Sequence, residues 1–302
     1  MIHISSCWMY AISKFGYPPS LEDTFQALKN MRDFGLHYLE MECLLHENTQ
    51  IIYQNRHEIK KRADDLGAKF VNISAVLPDM FSENPKISMQ GMDDFKKAIE
   101  VADTCEAGSL MVDSFPPPLP FKGTQPYGNS VEFEQLFSVQ VLPEFCFNTY
   151  YERLVKTYRQ CAEFASKSHK QLCVEPRVGE CIHTTDSFLR LYEHVQHANL
   201  GIVLDTAHLY AAKEMLPFSV EKLGKKITCV HLADNDSRTN AHNEVGTGTI
   251  DWEELFTALK KHQFDGYIAI DVANVPDLDK AYARSIDYLQ GVLNKLDISY
   301  DI

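Results

Sequence analysis

Four short apolar runs in the second half of the chain each end on a residue type that binds metal ions. They are Gln171-Leu-Cys-Val-Glu175, Gly201-Ile-Val-Leu-Asp205, Ile227-Thr-Cys-Val-His231 and Tyr267-Ile-Ala-Ile-Asp271. Each is rich in β-forming residues and leads into loop-like sequence. In a parallel sheet the side chains at the carboxyl ends of successive strands converge on one rim, so these four would form a cage for a divalent cation. A single acidic residue after an apolar run is commonly a helix cap or a solvated loop residue. Four in series point instead to an active site.

Bringing four strand ends to one rim requires a repeated strand-helix unit. Strand-like runs begin near Ile2, Tyr38, Phe70, Ser109, Gln171, Leu200, Ile227 and Gly266, with helical periodicity between them. Leu21, Phe25, Leu28, Met31 and Phe34 recur at three- and four-residue steps, predicting an amphipathic helix over 21–34 with Gly35 as its C-cap. Further helices are predicted over 54–66, 92–105, 150–165, 187–195, 252–262 and 278–293, each but the last followed by a strand. Eight alternations close most economically as a (β/α)8 TIM barrel, whose usual size of roughly 250 residues leaves about 50 for insertions. An open doubly wound sheet is disfavoured, because no GxGxxG turn follows the first strand. The expectation is an α/β chain forming a single TIM-barrel domain over 1–302, with an extended loop after the fourth strand.

That loop, about 114–149, contains Phe115-Pro116-Pro117-Pro118-Leu119-Pro120-Phe121 together with Tyr127, Phe133, Phe137, Phe145 and Phe147. It is too aromatic for a disordered tether. A long βα loop lies on the catalytic rim of a barrel, where this one could lid the pocket or pack against another subunit of a homo-oligomer. A proline-stiffened surface Ω-loop accounts for the composition equally well.

The chain of 302 residues is 45% hydrophobic, enough for a large core. Against 29 Lys and Arg stand 42 Asp and Glu, a net charge of -13 that opposes binding to nucleic acid, and no basic run offsets it. The eight cysteines include no CxxC pair and read as small buried hydrophobes of a reducing compartment. No signal-like start and no apolar stretch of the roughly 20 residues that span a bilayer is visible, so no membrane association and a cytoplasmic location are expected.

The motifs refine the site. Pro176 cannot extend the strand ladder, so the chain should break after Glu175 and leave the carboxylate on the rim. Arg177 and Glu180 follow in the loop, where they could bind substrate or pair with each other. A helical turn beginning after Asp205 would set His208 on the same face, three residues on, as a substrate-contacting or outer group. Alone, His231 would read as a hydrogen-bonded core histidine; its place between Asp205 and Asp271 makes it a ligand. In Ala241-His242-Asn243-Glu244-Val245-Gly246-Thr247-Gly248-Thr249-Ile250-Asp251-Trp252, two glycines permit a tight turn and Asp251 can cap a helix. Such a turn could also admit a phosphate. By strand-end position, Trp8, Glu42, His46, Arg177 and Arg238 are candidate pocket residues.

On these residues the whole chain resembles the xylose isomerase-like TIM-barrel superfamily of sugar isomerases, sugar epimerases and AP endonucleases. The marks are the Glu175-Pro176 strand end, Asp205-Thr-Ala-His208, the His231 strand end, and the His242 to Trp252 segment with its Gly246-Thr-Gly248 turn. The resemblance implies that Glu175, Asp205, His231 and Asp271 hold one divalent metal and that His208 contacts substrate. The endonuclease branch would need further histidines at the second and third strand ends, and Ser74-Ala75-Val76-Leu77-Pro78 offers none at the third; Asn240 also stands where that branch has Asp. Asp271 stands where ketose epimerases of the superfamily carry Glu. The lost methylene shortens its reach by about 1.3–1.5 Å, comparable to a misplacement that costs a hundredfold in rate. Metal binding tolerates that better than proton transfer does.

One nitrogen and three carboxylates suit Mn2+ or Mg2+ and tolerate Zn2+ or Co2+. The expected reaction is isomerisation or epimerisation of a sugar or sugar-derived keto-polyol, phosphorylated or not, through a metal-stabilised enediolate. Glu175 is the expected base, Asp271 the second proton-transfer group, and His208, Arg177, His242 and Glu180 the expected substrate-binding residues. A keto-polyol dehydratase using the same metal is the alternative; a non-catalytic sugar-binding barrel and an AP endonuclease rank below it.

Overall fold

The computed structural model describes residues 1–122 and 137–302. Eight parallel strands pair in sequence order: β1 (Ile2–Ser6), β2 (Tyr38–Leu44), β3 (Lys69–Val76), β4 (Ser109–Asp113), β5 (Gln171–Glu175), β6 (Leu200–Asp205), β7 (Ile227–Leu232) and β8 (Tyr267–Ile270). Because β1 bonds to both β2 and β8, the sheet closes into the expected (β/α)8 barrel, a single domain. One strand lies outside the expected alternation. After the last helix, β9 (Tyr300–Asp301) pairs with β1 through Ile2 and His3.

The helices are α1 (Met9–Phe15), α2 (Leu21–Asp33), α3 (Leu45–Asp65), α4 (Pro85–Thr104), α5 (Phe147–Lys167), α6 (Thr185–Val195), α7 (Thr206–Ala211), α8 (Leu216–Leu223), α9 (Trp252–Lys261) and α10 (Leu278–Lys295). Periodicity does not reveal α1, α7 and α8, since six to eight residues are too few to develop an apolar stripe. The first turns of α3 are polar on the sequence, so it begins well before the predicted 54. At α2 the start is set by a reciprocal capping box between Ser20 and Asp23, worth about 1 kcal/mol. Just beyond its end, Gly35 takes a left-handed φ of 91°.

Side chains alternate across each strand, and the alternation positions the site. Outward residues such as Ile4, Leu39, Met41, Ile73, Leu110, Leu172, Ile202, Leu204, Val230 and Ile268 join the helices in the main core. Met111, Cys173, Val203 and Cys229 form a separate cluster with Tyr267 inside the barrel. Two residues further along the same strands come Asp113, Glu175, Asp205 and His231, which therefore lie at the barrel mouth.

The stem of the 114–149 insertion closes as a short antiparallel pairing. Lys122 N donates to Ser138 O at 2.7 Å and Gln140 N to Pro120 O at 2.8 Å. The Phe137 ring lies so close over Gly179 that an added Cβ would sit 2.8 Å from its Cε2, so the stem rests on the loop that follows β5. Tyr127 and Phe133, on which the lid reading also drew, lie outside the described residues. All eight cysteines are free, and six are buried. Among the described residues no helix is long and apolar enough to cross a membrane.

Candidate metal and active site

Glu175 ends β5, Asp205 ends β6, His231 is the penultimate residue of β7, and Asp271 follows β8 directly. All four are buried. The ligand atoms of Glu175, Asp205 and His231 lie within 4.8 Å of one another, and those of Cys7, His231 and Asp271 form a second such set that shares His231. His231 Nδ1 is 2.6 Å from Glu175 Oε1. Among the described residues Glu175 Oε1, Asp205 Oδ2 and Asp271 Oδ1 accept no hydrogen bond, although each is buried. An orphaned buried acceptor costs roughly 1–3 kcal/mol, and more when charged. Anionic oxygens left without donors beside an imidazole fit a divalent cation.

Two more histidines stand at this cluster. Asp205 Oδ1 caps α7 by accepting the His208 amide at 2.6 Å, which holds the ring of His208 close by. The Val178 amide and Asn240 Nδ2 both point at His208 Nδ1, at 3.4 and 2.9 Å. Two donors on one nitrogen make it an acceptor and place the ring proton on Nε2. Burial keeps His208 neutral, well below the usual imidazole range, although Asp205 pulls the other way. His242 Nε2 lies 3.2 Å from Asp271 Oδ2 and 3.7 Å from Asp205 Oδ2. Burial opposes its charge, but the two carboxylates outweigh that and raise it to about 10. His242, expected to bind substrate, thus sits between two carboxylates of the expected metal cage.

A cavity of about 20 Å³, room for one water-sized body, is lined by Cys7, Met9, Glu42, Met111, Glu175, Arg177, His208, His231, His242 and Asp271. Arg177 donates from Nη1 to Asp113 Oδ2 at 2.6 Å, and its Nε lies 3.5 Å from Glu175 Oε2. Glu180 turns elsewhere: its Oε2 accepts from the amides of Ser114 and Phe115 and from Ser114 Oγ, each at 2.9 Å, tying the β5 loop to the start of the insertion. Sequence reasoning passed over Cys7 and Met111 of the cavity wall and Asp113 beside Arg177, because which parity of β1 and β4 faces inward is set only when the barrel closes.

Of the other candidate pocket residues, Glu42 lines the cavity, whereas Trp8, His46 and Arg238 do not. Trp8 has the outward parity next to Cys7 and is buried in the main core. His46 has already entered α3, where it bonds to Asp94 of α4 at 2.7 Å, and Arg238 is exposed in a turn beyond β7. Proximity to a strand end was too coarse a criterion, because the chain changes direction within two residues of it.

Burial pushes Asp113 up to about 6, against the pull of Arg177 and with the charge of Glu175 adding to the rise. The folded chain therefore keeps this proton to higher pH than the unfolded chain does. The penalty is absent below about pH 4 and complete above about pH 6, so this group's contribution makes stability fall as pH rises across that window. Asp113→Asn is expected to flatten the decline, as read from urea-unfolding midpoints at several pH values. Equal slopes in variant and parent would refute the assignment.

The two glycines of the 242–252 segment are explained by Asp234. Its carboxylate accepts from Gly246 N at 3.0 Å, Ile250 N at 3.3 Å and Trp252 Nε1 at 2.8 Å. Gly246 has a φ of 87°, and a Cβ on Gly248 would meet Asp234 Oδ1 at 2.2 Å. Two amides of the turn are thus engaged by a protein carboxylate. As expected, Asp251 caps α9 by accepting from Glu254 N. Asp234→Ala should cost about 3 kcal/mol or more, lowering Tm by roughly 5 °C in calorimetry; an unchanged Tm would contradict this account.

The profile of the xylose isomerase-like TIM barrel family matches residues 28–292. An uncharacterised protein of Methanocaldococcus jannaschii is 34% identical over 116 residues, 37% of this chain and 39% of that protein. The inosose dehydratase of Yersinia enterocolitica is 23% identical over 161 residues, 47% of this chain and 52% of the relative. The chain thus spans 39% and 52% of the length of these curated relatives. A solved L-ribulose 3-epimerase superposes with a TM-score of 0.75 at 18% identity, covering 98% of this chain and 95% of the other, a likeness of fold. With a closed barrel of eight parallel strands and the family profile matched from 28 to 292, the chain belongs to the xylose isomerase-like TIM barrel family.

Proposed function

We propose that this protein is a divalent-metal-dependent isomerase or epimerase of a sugar or sugar-derived keto-polyol. The reading rests above all on the buried carboxylate oxygens of Glu175, Asp205 and Asp271 at the mouth of the barrel, which among the described residues have no hydrogen-bond donor. Glu175, Asp205, His231 and Asp271 would hold the ion, with His242 beside them. A cation bound there, preferentially Mn2+ or Mg2+ given the oxygen-rich donors, would supply Lewis-acid polarisation of a carbonyl.

The chain's own groups account for the proton transfers. Glu175 has one oxygen at the ligand cluster and the other toward Arg177, so it can serve the ion through Oε1 and take a substrate C–H proton through Oε2. Arg177, its Nε 3.5 Å from that carboxylate, orients hydroxyl groups from the cavity wall. His208, neutral with its proton on Nε2, donates to a substrate oxygen. Asp271 lies three strands around the barrel from Glu175, and proton return from its side inverts the carbon. Return by Glu175 to the neighbouring carbon interconverts ketose and aldose.

One observation supports the dehydratase as a second reading. Burial pushes Glu42, which lines the cavity, well above the usual carboxylate range, with Asp113 adding to the rise and Arg177 opposing it, a direction that favours its neutral form. Such a group could protonate a departing hydroxyl. The two readings separate when the Mn2+-loaded protein is incubated with a panel of ketoses and an inosose in deuterated water and followed by NMR. Deuterium incorporation with a new epimer or aldose supports the first, and an unsaturated or deoxy product supports the second. Neither exchange nor product from any member of the panel would count against both.

A further inference from the structure

We propose that Glu40 is a positioning residue whose carboxylate accepts the Nε2 proton of His231, holding that imidazole with Nδ1 turned toward the cation-binding cluster. The inference rests on the reading of His231 as a metal ligand. Glu40 Oε2 lies 3.1 Å from His231 Nε2, and both side chains are 1% exposed. A carboxylate can only accept, so Nε2 carries a proton toward Glu40, and an ion held between Nδ1 and Glu175 Oε1, which lie 2.6 Å apart, would take the lone pair of Nδ1.

Glu40 stands beside His231 and Cys229, the ligand atoms of the three lying within 4.8 Å of one another. It does not line the cavity, so it touches no substrate there. It sits one inward step below Glu42 on β2, at the depth where a barrel ordinarily packs apolar side chains. Burying a carboxylate there is costly, and its Oε1 accepts no hydrogen bond among the described residues. A register shift between Leu39 and Glu40 places it opposite Asn72, and such irregularities re-aim side chains. Asn72 Nδ2 approaches Glu40 Oε2 at 3.4 Å, while Asn72 Oδ1 accepts from Ser109 Oγ at 2.9 Å. A polar file thus runs across β2, β3 and β4 and ends on the imidazole of β7. It leads toward the mouth through His231, while Asn72 Nδ2 also approaches Ser74 Oγ at 3.4 Å.

The test compares the full-length parent with Glu40→Gln and Glu40→Ala, using Mn2+ alone as the probe in calorimetric titration. The Nε2–H proton of His231 is read by NMR in the Zn2+-loaded protein and assigned by its loss in His231→Asn. The parent is expected to show a solvent-protected Nε2–H. Glu40→Gln, which keeps the shape and one acceptor oxygen but no charge, should weaken Mn2+ binding about tenfold, and Glu40→Ala up to about a hundredfold with loss of the resonance. If Glu40→Ala fails to fold, the near-isosteric Gln variant decides the matter. Parent-like Mn2+ affinity and an unmoved Nε2–H signal in Glu40→Gln would overturn the proposal, and a merely structural role would leave that signal unmoved. A parent that binds no Mn2+ would instead overturn the metal reading itself.

Discussion

Glu175→Gln is expected to lower turnover, and deuterium exchange into substrate, by about 10³-fold or more while thermal unfolding stays cooperative. General base catalysis alone contributes roughly 10²–10⁴-fold, and the amide has no basic oxygen to replace it. The substitution keeps the volume of the side chain and one oxygen that can face the cluster. Arg177 retains Asp113 as its hydrogen-bonded partner at 2.6 Å, so the β5 loop has no reason to move. The measurement is NMR of the ketose panel in deuterated water with Mn2+ present. Exchange within tenfold of the parent would remove Glu175 from the role of base, whatever else it binds.

The second large effect is on stability. Saturation with Mn2+ at about 100 times its Kd should stabilise the fold by about 2.7 kcal/mol. For a chain of this length the unfolding entropy is about 0.6 kcal/mol per degree, so Tm should rise by roughly 4 °C, and a chelator should reverse the rise. Asp205→Asn separates the cation from the cap. Its Oδ1 can still accept the His208 amide and start α7, whereas the orphaned Oδ2 becomes an amide that binds no cation. That variant should fold yet lose the metal-dependent shift. A parent Tm indifferent to Mn2+, Mg2+, Co2+ and Zn2+ up to millimolar concentrations would end the metal-centre reading.

Much of the site could be read locally. The short apolar, β-rich runs and the amphipathic stretches reveal the strand-helix alternation because each pattern is complete within a single element. Pro176 marks the end of β5 for a covalent reason, and Asp251 announces α9 because a cap bonds only three residues ahead. The helices α7 and α8 escape such reading, being too short for a stripe. Glu180 escapes it too: its three donors come from Ser114 and Phe115, brought beside it only by the β4–β5 pairing.

By itself, then, the amino-acid order determined the barrel alternation and which residue types would stand at the strand ends, since both follow from short-range backbone geometry and hydrophobic period. Only closure of the ring decided which of two neighbours faces inward, choosing Cys7 over Trp8, and which distant groups meet. His231 reaches Glu40 across 191 positions of chain, and Asp205 and Asp271 come to flank His242. Such meetings depend on the register of strands around a closed barrel, a property of the whole assembly of strands that no single segment carries.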